Sequence, residues 1–320
     1  MKVLVTGGAG YIGATVAHML LDHGHQVTIV DDLSRNDDRQ VPAAAEFVRC
    51  RVHDIIQILT PDAGYDAVLH FAGLIAAGES MRHPGCGWHW DNNTRASLAL
   101  LDAIHGAGVG RLVFSSTAAV YGDPVELPLT ENSPTSPVNT YGATKLAVDQ
   151  AIGSYTRAGS LGAVSLRYFN VAGAHTNPDG TMIGERHTPE THLIPLALDA
   201  AATGGTFKLF GADYPTPDGT CIRDYIALTD LARAHLLALD AIEPGKHRIY
   251  NLGNGIGYSN KQVLDAVREV TGRALDIEIA LRRPGDPAAL YTSSAHAEQE
   301  LGWTPAQPKI TDIVADAWRF

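Results

Sequence analysis

The stretch GGAGYIG at residues 7–13 follows an apolar run at residues 3–6 and precedes an amphipathic run at residues 12–21. It fits Gly-x-Gly-x-x-Gly from Gly8 and Gly-x-x-Gly-x-x-Gly from Gly7. Glycine permits positive φ in a tight turn and lets the backbone approach a pyrophosphate closely. The first turn of a helix also offers N–H groups to phosphates. A tight turn could use glycines without any ligand, but the strand before it and the helix after it favour a dinucleotide-binding turn.

The second strand-like run, residues 27–30, ends at Asp31. A carboxylate at this position can accept hydrogen bonds from a ribose 2′-hydroxyl and would repel a 2′-phosphate. Asp31 could also be an ordinary turn residue, and the nearby Arg35 could favour a 2′-phosphate. The position of Asp31 at the strand end nevertheless predicts NAD rather than NADP.

Short apolar runs alternate with amphipathic segments through the first half of the chain. Strand-like runs lie at residues 3–6, 27–30, 47–50, 67–71, 112–115 and 163–167, and helical patterns at 12–21, 97–104 and 141–157. This alternation predicts an α/β fold with a doubly wound parallel sheet, the Rossmann arrangement. Loops rich in Gly, Pro and Asp follow from about residue 171. We therefore expect a Rossmann domain at residues 1–170 and a smaller α/β lobe at residues 171–320, with segments that cross back.

Composition narrows the class of protein. The 320 residues are 45% hydrophobic and 18% charged, which is typical of a globular chain, and the formal net charge is −11. That charge disfavours nucleic-acid and anionic membrane surfaces as partners. Cys50, Cys86 and Cys221 form no CxxC pair, and no two histidines stand in His-x-x-x-His spacing, so we expect neither a disulfide framework nor a metal. No leader or apolar run of about 18 residues is present, which predicts a cytoplasmic protein.

Tyr141 and Lys145 form a Tyr-x-x-x-Lys motif at the start of a predicted helix. Residues four apart share one face of a helix. A neighbouring ammonium, together with a positively charged nicotinamide, favours the phenolate and brings a tyrosine toward the range of a general base. The motif could also be a surface tyrosine and a solvated lysine. A hydroxyl run at residues 115–117 ends the fifth predicted strand, where ligands bind in such sheets, and this favours a catalytic role.

At these residues the chain resembles the extended short-chain dehydrogenase/reductase family, and more closely its UDP-glucose (UDP-galactose) 4-epimerases. The glycine turn and Tyr-x-x-x-Lys specify only the superfamily. The run LFGADYPTPDGTCIRDYI at residues 209–226 is more specific. Further matching stretches lie at residues 31–34, 70–80, 114–122, 141–145, 167–175, 250–255, 282–286 and 300–303.

The resemblance implies an NAD-dependent epimerase that inverts C4 of a UDP-hexose through a transient 4-keto sugar. In such an enzyme Tyr141 would be the base, Lys145 would also hold the nicotinamide ribose, and Thr117 would hydrogen-bond the 4-oxygen of the sugar. The first domain would bind NAD and the second the nucleotide sugar. A homodimer is also implied.

The resemblance implies ligand contacts along the whole chain. Those to the cofactor would come from Gly7, Gly10, Tyr11, Ile12, Gly13, Asp31, Asp32, Leu33, Ser34, Asn36, Asp54, Ile55, Phe71, Ala72, Gly73, Asn92, Ser115, Tyr141, Lys145 and Phe169. Those to the substrate would come from Thr117, Asn170, His192, Leu193, Lys208, Leu209, Phe210, Arg223, Arg283, Asp286 and Leu290. The two arginines would bind the diphosphate, for which a guanidinium is well shaped.

The sequence departs from the family pattern at several places. Ile75 stands where a lysine is usual, and residues 83–88 make the lead-in to Asn92 two residues longer than usual. His192 replaces an asparagine and Ala227 a histidine. None of these changes touches the glycine turn or the Tyr-x-x-x-Lys motif.

The sequence disfavours one alternative enzyme, a 4,6-dehydratase of nucleotide sugars. That chemistry needs an acid–base pair after the strand-five hydroxyl, but Ala118 and Ala119 follow Thr117 here. The two sugars that are interconverted could instead be UDP-xylose and UDP-arabinose. They could also be the N-acetylated hexoses, since Leu290 in place of a tyrosine would widen the sugar pocket. A non-catalytic NAD-binding sensor would need neither the tyrosine nor the lysine.

Overall fold

The computed structural model of the protein describes residues 1–283 and 286–320. Strands and helices alternate along the first half. The strands are β1 (Lys2–Thr6), β2 (Gln26–Asp31), β3 (Glu46–Arg49), β4 (Ala67–His70), β5 (Arg111–Thr117), β6 (Gly162–Tyr168), β7 (Asn170–Ala172), β8 (His175–Thr176), β9 (Met182–Ile183), β10 (Thr206–Phe210), β11 (Ile222–Ala227), β12 (His247–Leu252), β13 (Gly257–Ser259), β14 (Asp276–Ala280) and β15 (Ala289–Leu290). The α-helices are α1 (Tyr11–Asp22), α2 (Ala77–Ser80), α3 (Gly85–His89), α4 (Ala96–Ala107), α5 (Thr140–Ala158), α6 (Leu193–Thr203), α7 (Leu228–Asp240), α8 (Asn260–Thr271), α9 (Ala295–Leu301) and α10 (Ile310–Arg319).

The main sheet has seven strands in the order β12-β6-β5-β4-β1-β2-β3. Its strand pairs from β3 through β5 are parallel, which confirms the predicted doubly wound parallel sheet. The strand order reverses at β1, which pairs with β2 on one side and β4 on the other. Ligands of such sheets bind at the carboxyl ends of the strands beside this reversal. The glycine turn after β1 and the segment after β4 both lie there.

The chain divides into two compact units. The first contains Met1–Gly122, Thr135–Arg167 and Ala232–Tyr250, and the second contains Asp123–Pro134, Tyr168–Leu231 and Asn251–Phe320. The core of the first unit includes Leu4, Val68 and Phe114 from the sheet and Leu100 from a covering helix, all at most 1% exposed. In the second unit, apolar faces of α6, α8 and α10 pack on strand residues such as Tyr225. Which unit binds which ligand stays a prediction.

The helix expected at residues 97–104 is longer than its apolar pattern indicated. Helical backbone runs from α3 through a π-helical segment, Trp90–Arg95, into α4. A π-helical turn holds more residues than an α-helical turn and is frequent at functional sites. The lengthened lead-in at residues 83–88 therefore continues into a helix that contains an over-wide turn. Within the described residues, no helix is long and apolar enough to span a membrane.

Candidate active site

Two positions of the glycine turn leave no room for a side chain. Gly7 has φ +71°, and a Cβ on it would lie 2.5 Å from the backbone nitrogen of Ala72. A Cβ on Gly13 would lie 2.3 Å from the Gly7 oxygen, so α1 can begin this close to β1 only with glycine. No side-chain cap is formed at Gly10, the residue before α1. The first turn of α1 thus presents its positive end directly to the turn.

Asp31 lies at the end of β2 and holds the loops around the glycine turn. Its carboxylate accepts hydrogen bonds from the backbone N–H of Ala9 (3.1 Å) and of Leu33 (2.9 Å). Burial raises the pKa of Asp31, and these hydrogen bonds oppose the shift. Leu33 adopts φ +57°, a left-handed conformation that is unusual outside glycine. Arg35, the residue that could have favoured a 2′-phosphate, lies 3.5 Å from Glu79 in an ion pair.

The residues predicted to contact the adenosine half of the cofactor differ in how accessible their side chains are. Asn36 approaches the turn, with its amide nitrogen 3.3 Å from a Cβ built on Gly10. The Ser34 amide donates to the carboxylate of Asp32 (2.9 Å). Asp54 is exposed, whereas the Ile55 side chain is fully buried in the core. Ile55 can therefore meet a ligand only through its main chain.

The segment after β4 meets the helix that contains the π turn. The buried amide of Asn93 receives a hydrogen bond from the Leu74 N–H (2.7 Å), and it donates to the Leu74 carbonyl (2.9 Å). Its oxygen lies 3.0 Å from a Cβ built on Gly73. Asn92, named from the sequence, instead donates to the Trp88 carbonyl (2.9 Å) and is half-buried. The structure therefore brings Asn93, not Asn92, to this edge of the sheet.

The start of α5 places Tyr141 beside the end of β5. Asn139 caps the helix by accepting from the Gly142 N–H (2.8 Å). A Cβ on Gly142 would lie 2.4 Å from the carbonyl oxygen of Ala119, so this glycine allows the helix to begin against the segment after β5. The Tyr141 N–H also donates to Ser80 (3.1 Å). The Tyr141 ring lies edge-on to the ring of His89, with centroids 6.4 Å apart.

Thr117, the last residue of β5, lies near Tyr141. The Thr117 oxygen accepts a hydrogen bond from the Ala119 N–H (3.2 Å). Burial raises the pKa of Tyr141, and the interaction with Thr117 opposes this shift. The chain therefore orients the phenol but, without a further positive charge, does not by itself favour the phenolate.

Lys145 is 2% exposed and points at the end of the sheet. Its ammonium donates to the Ser115 carbonyl (2.9 Å) and lies 4.9 Å from the centroid of the Phe114 ring. A Cβ on Gly73 would come within 3.5 Å of it. Burial lowers the pKa of Lys145 to about 8, with the nearby Asp149 acting in the opposite direction.

Further buried groups hold this edge in place, and the sequence reading missed them. His70 bridges Thr6 (2.6 Å) and Ser97 (2.8 Å), and burial together with Lys145 lowers the pKa of His70 to about 3. Asp149 accepts from Ser116 (3.1 Å) and from Arg167 (3.1 Å). Buried polar groups that pair across elements give only isolated His, Ser and Asp in a sequence, so no local motif identifies them.

In the second unit, Arg223 and Asp286 form an ion pair, and Arg223 also donates to the Ile222 carbonyl (2.7 Å). Leu290 lies opposite Arg223 in the parallel pairing of β15 with β11. The Tyr291 ring instead packs near Gly257, with a ring carbon 3.2 Å from a Cβ built there. The structure thus brings Arg223, Asp286 and Leu290 together. Pro284 and Gly285, part of the predicted arginine motif, lie outside the described residues.

The other residues predicted to contact the substrate differ in how accessible their side chains are to a ligand. Arg283 lies 4.0 Å from the centroid of the Phe210 ring. On β10, Leu209 is buried in the core, whereas Lys208 is exposed and pairs with Glu278 (3.8 Å). Only one face of this strand is therefore open to a ligand.

Three other predicted contacts lie at element ends in the second unit. Asn170, which begins β7, lies opposite Tyr225 in the pairing of β7 with β11, and burial raises the pKa of that tyrosine to about 12. Phe169 is 7% exposed. His192 directly precedes Leu193, the first residue of α6.

Asp224 is the organising residue of this unit, and the sequence reading passed over it. It is fully buried, and its carboxylate accepts from the N–H groups of Asn254 (2.7 Å), Gly255 (3.1 Å) and Thr292 (3.2 Å). Burial raises the pKa of Asp224 to about 7, and the backbone hydrogen bonds oppose the shift. Its place between Arg223 and Tyr225 was the only sequence signal that could have found it.

Comparison with known proteins places the chain in a family. Residues 3–253 match the NAD dependent epimerase/dehydratase family. The UDP-glucose 4-epimerase of Corynebacterium glutamicum is 53% identical over 322 residues, which cover 100% of this chain and 95% of that protein. A UDP-glucose 4-epimerase from Bifidobacterium longum, solved in complex with NAD⁺ and UDP, has a TM-score of 0.91 and 36% identity, with 99% of this chain and 97% of that chain covered. The UDP-Glc/GlcNAc 4-epimerase of Campylobacter jejuni has a TM-score of 0.84 and 35% identity, with 99% and 98% covered.

The fold, the glycine turn and these matches define an NAD-dependent epimerase of the extended short-chain dehydrogenase/reductases. Within that class, the chain belongs to the UDP-glucose 4-epimerase family. The resemblance drawn from the sequence, the class of enzyme and its dependence on NAD are thereby confirmed.

Proposed function

We propose that the protein interconverts the C4 epimers of a UDP-hexose with NAD as a resident cofactor and Tyr141 as the proton-transfer group. The observation that carries the proposal is the position of Lys145, one helical turn after Tyr141, whose buried ammonium donates to the Ser115 carbonyl (2.9 Å) near the end of β5. Family membership supports the reaction.

The first unit supports NAD as the resident cofactor. The glycine turn is packed too closely on backbone to admit side chains at Gly7 and Gly13, and the uncapped start of α1 suits a pyrophosphate. Asp31 suits a ribose with a free 2′-hydroxyl, because a 2′-phosphate would meet its carboxylate. The chemistry that NAD supplies when bound is reversible hydride transfer at C4 of the sugar.

Tyr141 would take the proton from the 4-hydroxyl and return it to the same oxygen after the sugar has turned over. Thr117 would hold the 4-oxygen and the phenol in line. Because burial raises the pKa of Tyr141, the phenolate needs positive charge near it. Lys145 would supply part of that charge, since its buried ammonium lies at the end of β5, the strand that ends at Thr117. We infer that the oxidised nicotinamide supplies the rest.

The second unit supports binding of the nucleotide sugar. Arg223 and Arg283 bring two guanidinium groups, which suit a diphosphate. Phe210, under the Arg283 guanidinium, presents a ring that would stack on a base. Asn93 joins Asn92 among the proposed cofactor residues, because its side-chain oxygen lies beside Gly73.

The N-acetylated hexoses form a second candidate substrate pair. Leu290 lies across from Arg223, and Tyr291 packs near Gly257 instead of beside Leu290. A side chain smaller than tyrosine at position 290 would leave room for an N-acetyl group on C2. The Campylobacter jejuni relative carries both Glc and GlcNAc in its name. We further propose that the protein acts in the cytoplasm and that it forms a homodimer. The family resemblance implies the dimer, and light scattering of the purified chain would test it.

The direct test uses UDP-galactose deuterated at C4 and no added cofactor. If hydride leaves C4 and returns to it, the UDP-glucose formed keeps the deuterium, and turnover slows by a primary isotope effect. Mass spectrometry and NMR of the product measure both. Loss of the label to solvent, or absence of UDP-glucose, would refute the proposed reaction.

A further inference from the structure

The segment from Gly184 to His192 gathers two histidines and two glutamates outside the predicted catalytic residues. One ligand atom from each of Glu185, His187, Glu190 and His192 lies within 4.8 Å of the other three. We call these four residues the 185–192 cluster. Their spacing, Glu-x-His-x-x-Glu-x-His, matches none of the histidine spacings expected for a metal, which is why the sequence predicted none.

We propose that the 185–192 cluster binds one divalent transition-metal ion of the zinc type. Imidazole nitrogen and carboxylate oxygen are ligands that Zn²⁺ accepts, and four protein ligands suit its tetrahedral coordination. Mg²⁺ and Ca²⁺ prefer sites made wholly of oxygen.

The first support is a buried contact between two of the ligand atoms. The Glu185 Oε1 and His187 Nδ1 atoms form an ion pair, and both atoms are shielded from solvent. An imidazole and a carboxylate held together in this way are a pair of ligands that a zinc-type ion accepts.

The second support is the arrangement of the surrounding charges. Arg186, between two of the ligands in sequence, lies 4.7 Å from the centroid of the Phe320 ring instead of in the cluster. A Cβ on Gly184 would lie 2.2 Å from the same Phe320 ring, so a close packing contact fixes the start of the segment.

The third support is that Glu190 is held in place by backbone. Its Oε1 atom accepts from the N–H groups of Thr191 (2.6 Å) and His192 (2.7 Å) and lies 2.7 Å from His192 Nδ1. Outer hydrogen bonds of this type orient carboxylate ligands at metal sites. The His192 side chain is 43% exposed, whereas that of Glu185 is 13% exposed, so an ion could enter from the His192 side.

A bound ion would tie residues 185–192 to the start of α6, where His192 and Leu193 are predicted to meet the nucleotide. Its role would be structural, because all four ligands come from the chain. Binding is measured without substrate, so its outcome is independent of the proposed epimerase activity.

The test titrates Zn²⁺ into chelator-treated, untagged protein by calorimetry. We expect one ion per chain, little competition from excess Mg²⁺, and intense visible absorption with Co²⁺ as expected for a tetrahedral site. Glu185→Gln and His187→Ala should each weaken Zn²⁺ binding at least ~10-fold, as loss of even a supporting group does at metal sites.

The matched control is His296→Gln. His296 also lies near two carboxylates, those of Glu131 (3.9 Å) and Glu300 (3.3 Å), but outside the cluster. Its replacement should leave Zn²⁺ affinity unchanged. Equal affinity in wild type and His187→Ala, or weak binding of several ions that all variants share, would overturn the site. Circular dichroism of each variant separates lost ligands from lost folding.

Discussion

Lys145 is the residue at which charge and catalysis are most closely coupled. It is buried, its pKa is lowered to about 8, and it lies at the end of β5 with Thr117. If its ammonium favours the Tyr141 phenolate, Lys145→Met should shift the rise of kcat/KM to higher pH. Lys145→Arg, which keeps the charge, should shift that rise much less. A pH–rate profile that is the same for wild type and Lys145→Met would contradict the electrostatic role.

Leu290 tests the choice of sugar at the residue scale. Leu290→Tyr adds a ring opposite Arg223, and overpacking of a filled site typically costs ~1–3 kcal/mol, roughly 5- to 150-fold in kcat/KM. We expect this variant to lose UDP-N-acetylglucosamine turnover and to retain UDP-galactose turnover, while Leu290→Met changes neither greatly. The comparison is kcat/KM for both substrates. If wild type does not turn over UDP-N-acetylglucosamine at all, the account of the pocket is wrong although the epimerase assignment stands.

At the scale of elements, the local sequence predicted where strands end and helices begin wherever a single short motif forms the turn. The glycine turn, the end of β2 at Asp31 and the start of α5 at Tyr141 all follow from short patterns with a local physical cause. The π-helical segment does not, because its extra residue changes which asparagine faces the sheet without changing the apolar pattern. Asp224 and the 185–192 cluster depend on partners brought together by the fold, and spacing rules did not find them.

His70 connects three elements and gives the fold an acid-sensitive point. It lies on β4, accepts or donates to Thr6 on β1 and Ser97 on α4, and its pKa is lowered to about 3 by burial and by Lys145. The pKa of His70 is about 6.5 in the unfolded protein and lower in the folded protein, so the neutral side chain contributes its full stabilisation only above pH 6.5. This stabilisation is lost as the pH falls toward 3. By pH ~4 the loss should reach ~3 kcal/mol.

The measurement is the urea midpoint between neutral pH and about pH 4, where carboxylate effects are still common to all variants. His70→Gln should be less stable at neutral pH, because a buried bond is lost, but its stability should fall less steeply with acid. His23→Gln replaces an exposed histidine of the same unit and should follow wild type. A slope in His70→Gln as steep as in wild type would show that His70 does not titrate in this range.

At the scale of the whole molecule, the parallel sheet and the family were predictable because their signals are repeated along the chain. Six of the seven strands of the main sheet appear in the sequence as apolar runs that end in a turn or a hydroxyl. The seventh, β12, lies far along the chain and joins the sheet beside β6. Its residues 247–249 are only half-buried, so this strand does not appear as a comparable apolar run in the sequence.

A resident cofactor is the expected behaviour of the whole molecule, because the proposed reaction has no net redox change. NAD should therefore co-purify with the chain at close to one per protomer and support turnover without addition. Cofactor released by denaturation can be quantified by absorbance and mass. Protein that is free of cofactor and active only with NADPH would contradict both the mechanism and the role given to Asp31.

The measurement that tests the central claim most directly is turnover by Tyr141→Phe with its NAD content determined in the same sample. The variant keeps the ring and removes the phenol, so NAD should remain bound while epimerisation falls ~10²–10⁴-fold, the usual contribution of a general acid–base group. Tyr155→Phe, on the same helix but bonded to Asp102 at the surface, should retain wild-type turnover. If Tyr141→Phe holds NAD and epimerises UDP-galactose at the wild-type rate, Tyr141 is not the proton-transfer group.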